Sequence, residues 1–234
     1  MCGDTMKVIL GKNLKRFNII VGLMGNVRSE TTMKFSKEGM SMVIQSGGTS
    51  MIITDFKPEF FDSYEVEGTE EIKVFISDLI PIKKISSPIT LAEEENQLII
   101  SSDKDVYRAP TLVEDEKDSL EMPPIEYSIS VKTTFTELKQ AYEKVGVVKG
   151  SLIMFLADEG KVNLNSINGI RNMTTELGEA QGTTKGTYSF DLIKQMIMVG
   201  DDTIEMFFEE NKPLKIIYEK DDFCFTYMLA PRAE

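Results

Sequence analysis

The chain has 234 residues, 41% of them hydrophobic, and a formal net charge of −12. That length buries a substantial core, either as one large domain or as two of about 110 residues. The absence of histidine removes the commonest general base and metal ligand. Nor is there a G-x-S-x-G, a P-loop or a zinc-ligand spacing. No apolar run is long enough for a membrane helix, and the first ten residues lack a signal-peptide pattern. Cys2 and Cys224 lie at opposite ends of the chain and read as reduced thiols, an expectation of a cytoplasmic protein. No metal and no cofactor is expected.

In chain order, apolar residues alternate at Met6-Val8-Leu10, Met40-Met42-Ile44, Ile129-Val131, Val162-Leu164 and Ile204-Met206-Phe208. Period two with polar residues between predicts half-buried antiparallel strands. Turn signals separate them: Lys37-Glu38-Gly39, Gly47-Gly48, Asp158-Glu159-Gly160, Asn211-Lys212-Pro213 and Asp221-Asp222. Four segments instead show helical spacing. Residues 12–24 carry Leu14, Phe17, Val21 and Met24. Residues 77–86 open on Ser77 and Asp78, with Pro81 placed where a missing N–H costs little. Residues 133–146 begin with Thr134 and Glu137 at capping-box spacing and bury Phe135, Leu138, Tyr142 and Val145. Residues 189–199 start at Ser189 and carry Ile193, Met196 and Ile197.

These segments fall into two matching pairs. Val8 to Gly39 lies on Ile129 to Gly160 at a constant offset, Asp78-Leu79-Ile80 matches Asp191-Leu192-Ile193, and both halves close on Ala-Pro, at Ala109-Pro110 and Ala230-Pro231. The shared order predicts an internal duplication. The expected organisation is 1–109, a linker at 110–124 and 125–234. The linker is bounded by prolines and acidic in its middle. Its Leu112, Val113, Leu120 and Met122 are too apolar for a solvated tether.

Charge is unevenly distributed. The four helical segments hold Lys12, Lys15, Arg16, Lys83, Lys84, Lys139, Lys144 and Lys194 against Asp78, Glu137, Glu143 and Asp191. The remainder of the chain is strongly acidic. Helices favour lysine on their solvent side for ordinary reasons. The sharper reading places all four on one basic face of an acidic body, a surface for a polyanion held without base readout. Lys12, Lys15 and Arg16 are expected on one helical face, opposite Leu14, Phe17 and Val21. No aromatic platform interrupts the basic positions, so single-strand recognition is not suggested.

The two-fold repeat, the acidic linker and the ending Phe225-Thr226-Tyr227-Met228-Leu229-Ala230-Pro231-Arg232-Ala233-Glu234 resemble the DNA sliding clamps of the proliferating cell nuclear antigen family, with an archaeal-like terminus. Supporting stretches are Phe60-Phe61-Asp62-Ser63-Tyr64-Glu65-Val66, Pro123-Pro124-Ile125-Glu126-Tyr127 and Lys212-Pro213-Leu214-Lys215-Ile216-Ile217-Tyr218. The resemblance implies an α+β clamp fold of two similar domains, each with antiparallel sheets outside and two helices on the inner face. It implies a non-enzymatic processivity factor forming a trimeric ring around duplex DNA, of identical or paralogous subunits. The joining strands would lie near Asp105–Thr111 and Met173–Gly178. It implies a clamp-loader ATPase, and polymerase, nuclease and ligase partners docking short hydrophobic motifs. Their pocket would involve Gln45, Leu112, Val113, Leu120, Met122, Pro213, Met228, Ala230, Pro231 and Arg232. Here Gln45 stands where the family often has an apolar residue, and Met228 replaces a common aromatic, which leaves partner specificity open. A nucleoid location follows, nuclear in a eukaryote. Two other readings are a checkpoint-type clamp or DNA-independent scaffold of the same fold, and an enzyme using the carboxylates of Glu93-Glu94-Glu95.

Overall fold

A computed structural model describes residues 6–112, 124–197 and 202–232. Seventeen strands and four α-helices are found among them. The chain divides into two compact units. The first comprises Met1–Ser46, Ile52–Glu121 and Lys220–Phe225; the second comprises Gly47–Met51, Met122–Glu219 and Thr226–Glu234.

The first unit begins with β1 (Lys7–Leu10), α1 (Leu14–Gly25), β2 (Glu30–Ser36), β3 (Gly39–Ser46) and β4 (Ser50–Phe56). It continues through β5 (Ser63–Glu65), β6 (Glu70–Phe75), α2 (Ile76–Leu79), β7 (Ile89–Glu94), β8 (Gln97–Ser101) and β9 (Val106–Pro110). Its strands form two antiparallel rows, β5-β1-β7-β8-β9 and β4-β3-β2-β6. Register follows the period-two pattern: Val8 stands opposite Leu91 and Leu10 opposite Ile89, all four buried. A one-residue slip would turn each of these to solvent. Beneath α1 lies an aromatic cluster in which the Phe56 ring is 5.6 Å from Phe17, 4.7 Å from Phe60 and 6.2 Å from Phe223.

The second unit repeats this plan with β10 (Ser130–Thr134), α3 (Phe135–Gly146), β11 (Leu152–Asp158), β12 (Lys161–Asn168), β13 (Arg171–Glu179), β14 (Thr184–Ser189), α4 (Phe190–Lys194), β15 (Thr203–Phe207), β16 (Leu214–Lys220) and β17 (Phe223–Leu229), the last residue of β16 and the first three of β17 being counted with the first unit. Its rows run β10-β15-β16-β17 and β13-β12-β11-β14. These match β1-β7-β8-β9 and β4-β3-β2-β6 strand for strand, with β5 the addition in the first unit. The duplication seen in the sequence is thus a duplication of topology.

The helices differ from expectation in length. α1 and α3 each run 12 residues, close to the predicted spans. The capping box at α3 is formed: Thr134 Oγ1 accepts from the Glu137 N–H at 3.1 Å, and the Glu137 carboxylate accepts from the Thr134 N–H at 3.0 Å. The helix expected at 77–86 is shorter. α2 begins at Ile76 with no side-chain cap, and from Ile80 to Lys83 the chain tightens into a 3-10 helix. Pro81 is the cause, since it cannot donate to Ser77 and its ring crowds that carbonyl. The helix expected at 189–199 likewise ends at Lys194, and Met196 donates to Ile193 three residues back. Residues 198 and 199 lie outside the described residues.

Candidate nucleic-acid interface

In the first unit, α1 buries Phe17, Ile20, Val21 and Met24 against the sheet. At 3.6 residues per turn this directs Lys15 and Ile19 the opposite way, and both are exposed. The open side of α1 and the 3-10 helix form a shallow groove of about 650 Å³. Lys12, Lys15 and Lys83 line it, with Asn18, Ile19 and Gly22 between them. Lys83 Nζ reaches α1 at Gly22, 3.7 Å from where a β-carbon would stand, an ordinary contact distance. The Asn18 side-chain oxygen has no hydrogen-bond partner. Three lysines thus line the groove with no acidic residue among its lining, and Asp62 stands next to it, accepting from the Lys12 N–H at 3.3 Å. Lys84, the residue just past the 3-10 helix, is exposed but does not line the groove.

Arg16 is placed differently from Lys15. Its guanidinium lies 3.7 Å from the Asp222 carboxylate and 5.3 Å from the centre of the Phe223 ring. It therefore flanks the buried side of α1 rather than sharing the open side with Lys15. Asp222 also accepts from the Asn13 amide at 3.1 Å, and that amide donates to the Phe60 carbonyl at 2.7 Å. This set ties the start of α1 to the β16–β17 turn. The sequence reading missed it because Asn13 and Asp222 are 209 residues apart and Asp222 carries only a turn signal.

In the second unit, α3 and α4 are joined by stacking of Tyr142 on Phe190, with centroids 4.1 Å apart. Burial pushes the Tyr142 hydroxyl up to about 12, with Asp191 adding to the shift. Lys139 is 3.9 Å from Glu143 one turn on, a surface pair that offsets its charge. Lys144 in the last turn of α3 and Lys194 in α4 are exposed. The second unit's helices thus present fewer uncompensated amines than the first unit's groove.

The residues expected to receive partner peptides fall in both units. In the first, Gln45 is half-buried and its carbonyl accepts from Arg28 at 3.3 Å. Leu112 donates its N–H to Lys73 at 2.7 Å, which extends pairing along the edge of β6. In the second, the Pro213 carbonyl accepts from the Tyr127 hydroxyl at 2.8 Å, Met228 is buried, and Ala230 and Arg232 donate to Thr49 and Thr187. Pro231 lies between these two anchored residues. Val113, Leu120 and Met122 lie outside the described residues. Tyr127 was not anticipated as a participant; Lys212 stands over its ring at 5.9 Å and bonds to Glu209 at 2.9 Å.

The acidic run at 93–95 has a local explanation. It forms the β7–β8 hairpin, where Glu94 pairs with Gln97 and the Glu93 carboxylate accepts from the Asn96 N–H at 2.9 Å. Among the described residues, no group of three or more acidic, cysteine or histidine side chains could hold a metal ion. No described helix is long and apolar enough to cross a membrane.

No protein-family model matches the chain. It is 26% identical over 246 residues to the DNA polymerase sliding clamp of Pyrococcus horikoshii, covering 97% of this chain and 98% of the relative. It is 26% identical over 242 residues to that of Nanoarchaeum equitans, covering 94% and 97%. Among solved structures, PCNA from Thermococcus kodakaraensis superposes with a TM-score of 0.87 at 17% identity, covering 97% of this chain and 100% of that one. A. fulgidus PCNA bound to the C-terminal region of FEN-1 gives 0.86 at 17%, covering 98% and 99%. A PCNA2–PCNA3 complex from Sulfolobus tokodaii gives 0.82 at 21%, covering 98% and 100%. Sequence likeness and shared fold both run nearly end to end: with its duplicated strand order the chain has the DNA-clamp fold of the PCNA structures and is similar in sequence to archaeal DNA polymerase sliding clamps.

Proposed function

We propose that this chain is a DNA polymerase sliding clamp, one subunit of a trimeric ring that encircles duplex DNA and tethers replication and repair enzymes to it. The observation that carries the reading is that Lys12, Lys15 and Lys83 line one groove on the open side of α1 in a chain of net charge −12. Cations concentrated on helices and acid elsewhere suit a duplex held on one surface and rejected by the others. Lys84, Lys144 and Lys194 supply further amines, and Lys139 a partly compensated one. Ammonium groups meet phosphates as point charges, through water as readily as directly, and read no bases. Retention is then topological: a closed ring does not need tight contacts to remain on DNA.

The clamp performs no chemistry of its own. A bound polymerase, nuclease or ligase gains effective concentration at the template. The FEN-1 segment on A. fulgidus PCNA supports docking of short peptides, for which Pro213, Met228, Ala230, Pro231 and Arg232 are the candidates in the second unit, and Gln45 and Leu112 in the first. A closed ring cannot thread itself onto long DNA, so a loader ATPase is required. The cytoplasm, around the nucleoid, is the proposed location.

The test is retention on nicked circular duplex after loading, followed by linearisation. Wild-type clamp should stay on the circle and run off the linear form. Lys15→Glu with Lys83→Glu should reduce the loaded fraction at least tenfold, since two attractive contacts become repulsive. Unchanged loading of that variant would favour the DNA-independent scaffold instead.

A further inference from the structure

Arg16 and Lys15 are adjacent in sequence, yet they meet different surroundings. Lys15 lines the open groove with Lys12 and Lys83. Arg16 leans back onto Asp222 at 3.7 Å and over the Phe223 ring at 5.3 Å. Asp222 is itself fixed. Its carboxylate takes the Asn13 amide at 3.1 Å, and its carbonyl accepts from the Lys57 N–H at 2.9 Å. The acceptor is therefore in place whether or not Arg16 is bound. An isolated surface ion pair would hold the side chain weakly, but here the planar guanidinium also gains an aromatic face.

We propose that Asp222 is a positioning residue of the clamp: it holds the Arg16 guanidinium against Phe223 and off the DNA face, leaving that face to lysines. The inference rests on the DNA-facing reading of α1. Its chemical sense lies in the difference between the two cations. A guanidinium binds phosphate oxygens through two parallel N–H bonds in a fixed geometry, whereas an ammonium is a hydrated, freely rotating point charge. A clamp must exchange phosphates as it slides. An arginine on the running surface would act as a brake, and Asp222 removes it.

The measurement is the salt dependence of duplex binding by the full chain, read by fluorescence anisotropy for wild type, Lys15→Ala, Arg16→Ala, Asp222→Asn and the double variant Asp222→Asn/Arg16→Ala. Each phosphate contact contributes about 0.9 to the slope of log affinity against log salt concentration. Lys15→Ala should lower the slope by about that amount; if it does not, the DNA-facing reading of α1 fails, and this inference with it. Given that drop, Arg16→Ala should leave the slope at the wild-type value. Asp222→Asn should steepen it by about 0.9 and tighten low-salt binding several-fold, as the freed guanidinium reaches a phosphate. The double variant should return to wild type. A steepening that survives in the double variant would come from a loosened α1 and would overturn the proposal, as would a drop in slope for Arg16→Ala comparable to that for Lys15→Ala. Should Asp222→Asn not fold, the contrast between Arg16→Ala and Lys15→Ala decides alone.

Discussion

Glu209 shows how one carboxylate organises the entry to β10. It accepts from Lys212 at 2.9 Å and from both the N–H and the hydroxyl of Ser128, at 3.0 and 2.9 Å. The Lys212 bond, and then those from Ser128, hold its carboxyl below the usual 4.5. A folded-state value below the unfolded one stabilises above the unfolded pKa and is lost as pH falls through the folded value. Glu209→Gln should therefore lower Tm by about 2 °C at neutral pH, a modest figure because the pair is solvent-screened. The gap between variant and wild type should close as pH drops below 4.5. A gap that stayed constant into acid would mean that packing, not charge, is what the substitution disturbs. Thr134 is a second residue whose contribution can be isolated. Its hydroxyl and Glu137 satisfy reciprocal donors at the start of α3, and Thr134→Ala should cost about 1 kcal/mol in denaturant unfolding.

At the scale of elements, the two halves use the same turn under different constraint. Gly39 between β2 and β3 has φ +132°, and a β-carbon there would overlap the Phe56 carbonyl oxygen and stand 3.1 Å from Lys57 Cα. Gly160, its counterpart between β11 and β12, has φ +83° with nothing within 4 Å. Gly39→Ala combines a strained backbone with a clash against main chain, and should cost about 3 kcal/mol or more. Gly160→Ala carries strain alone, at about 1 kcal/mol. Urea midpoints of the two variants should separate clearly, and equal shifts would contradict the close approach at Gly39. The sequence could align these glycines but could not rank them, because the Phe56 carbonyl is brought in by tertiary structure. The same limit explains the rest. Alternation and turn residues made the strands legible, and Thr134-x-x-Glu137 made the start of α3 legible, because those signals are local. The shortening at Pro81 was open to misreading, since proline is tolerated in a first turn and the helix begins at Ile76, one residue before Ser77. The bond between Asn13 and Asp222 spans 209 residues and had no local signal at all.

At the scale of the whole molecule, the strands at the ends of the rows pose the remaining question. β6 receives Leu112 along its edge, and β14 receives Arg232. β9 and β13 end their rows, each paired with a single neighbour, β8 and β12 respectively. A row of unpaired N–H and C=O groups invites pairing with another chain. Strands of five and nine residues are long enough to accept it. Val106 on β9 is 57% exposed, apolar area that pairing along that edge would cover. In a head-to-tail ring every joint consumes one β9 edge and one β13 edge, and closure leaves neither free. An open chain of subunits would leave one of each at its ends. Amide hydrogen exchange on the assembled clamp distinguishes the two arrangements. The outward amides of Val106–Arg108 and of Met173–Gly178 should be protected in equal proportion, and dilution into the dissociated state should release both sets together. Protection of one strand without the other, in a preparation of uniform mass, would exclude a closed ring joined through these edges.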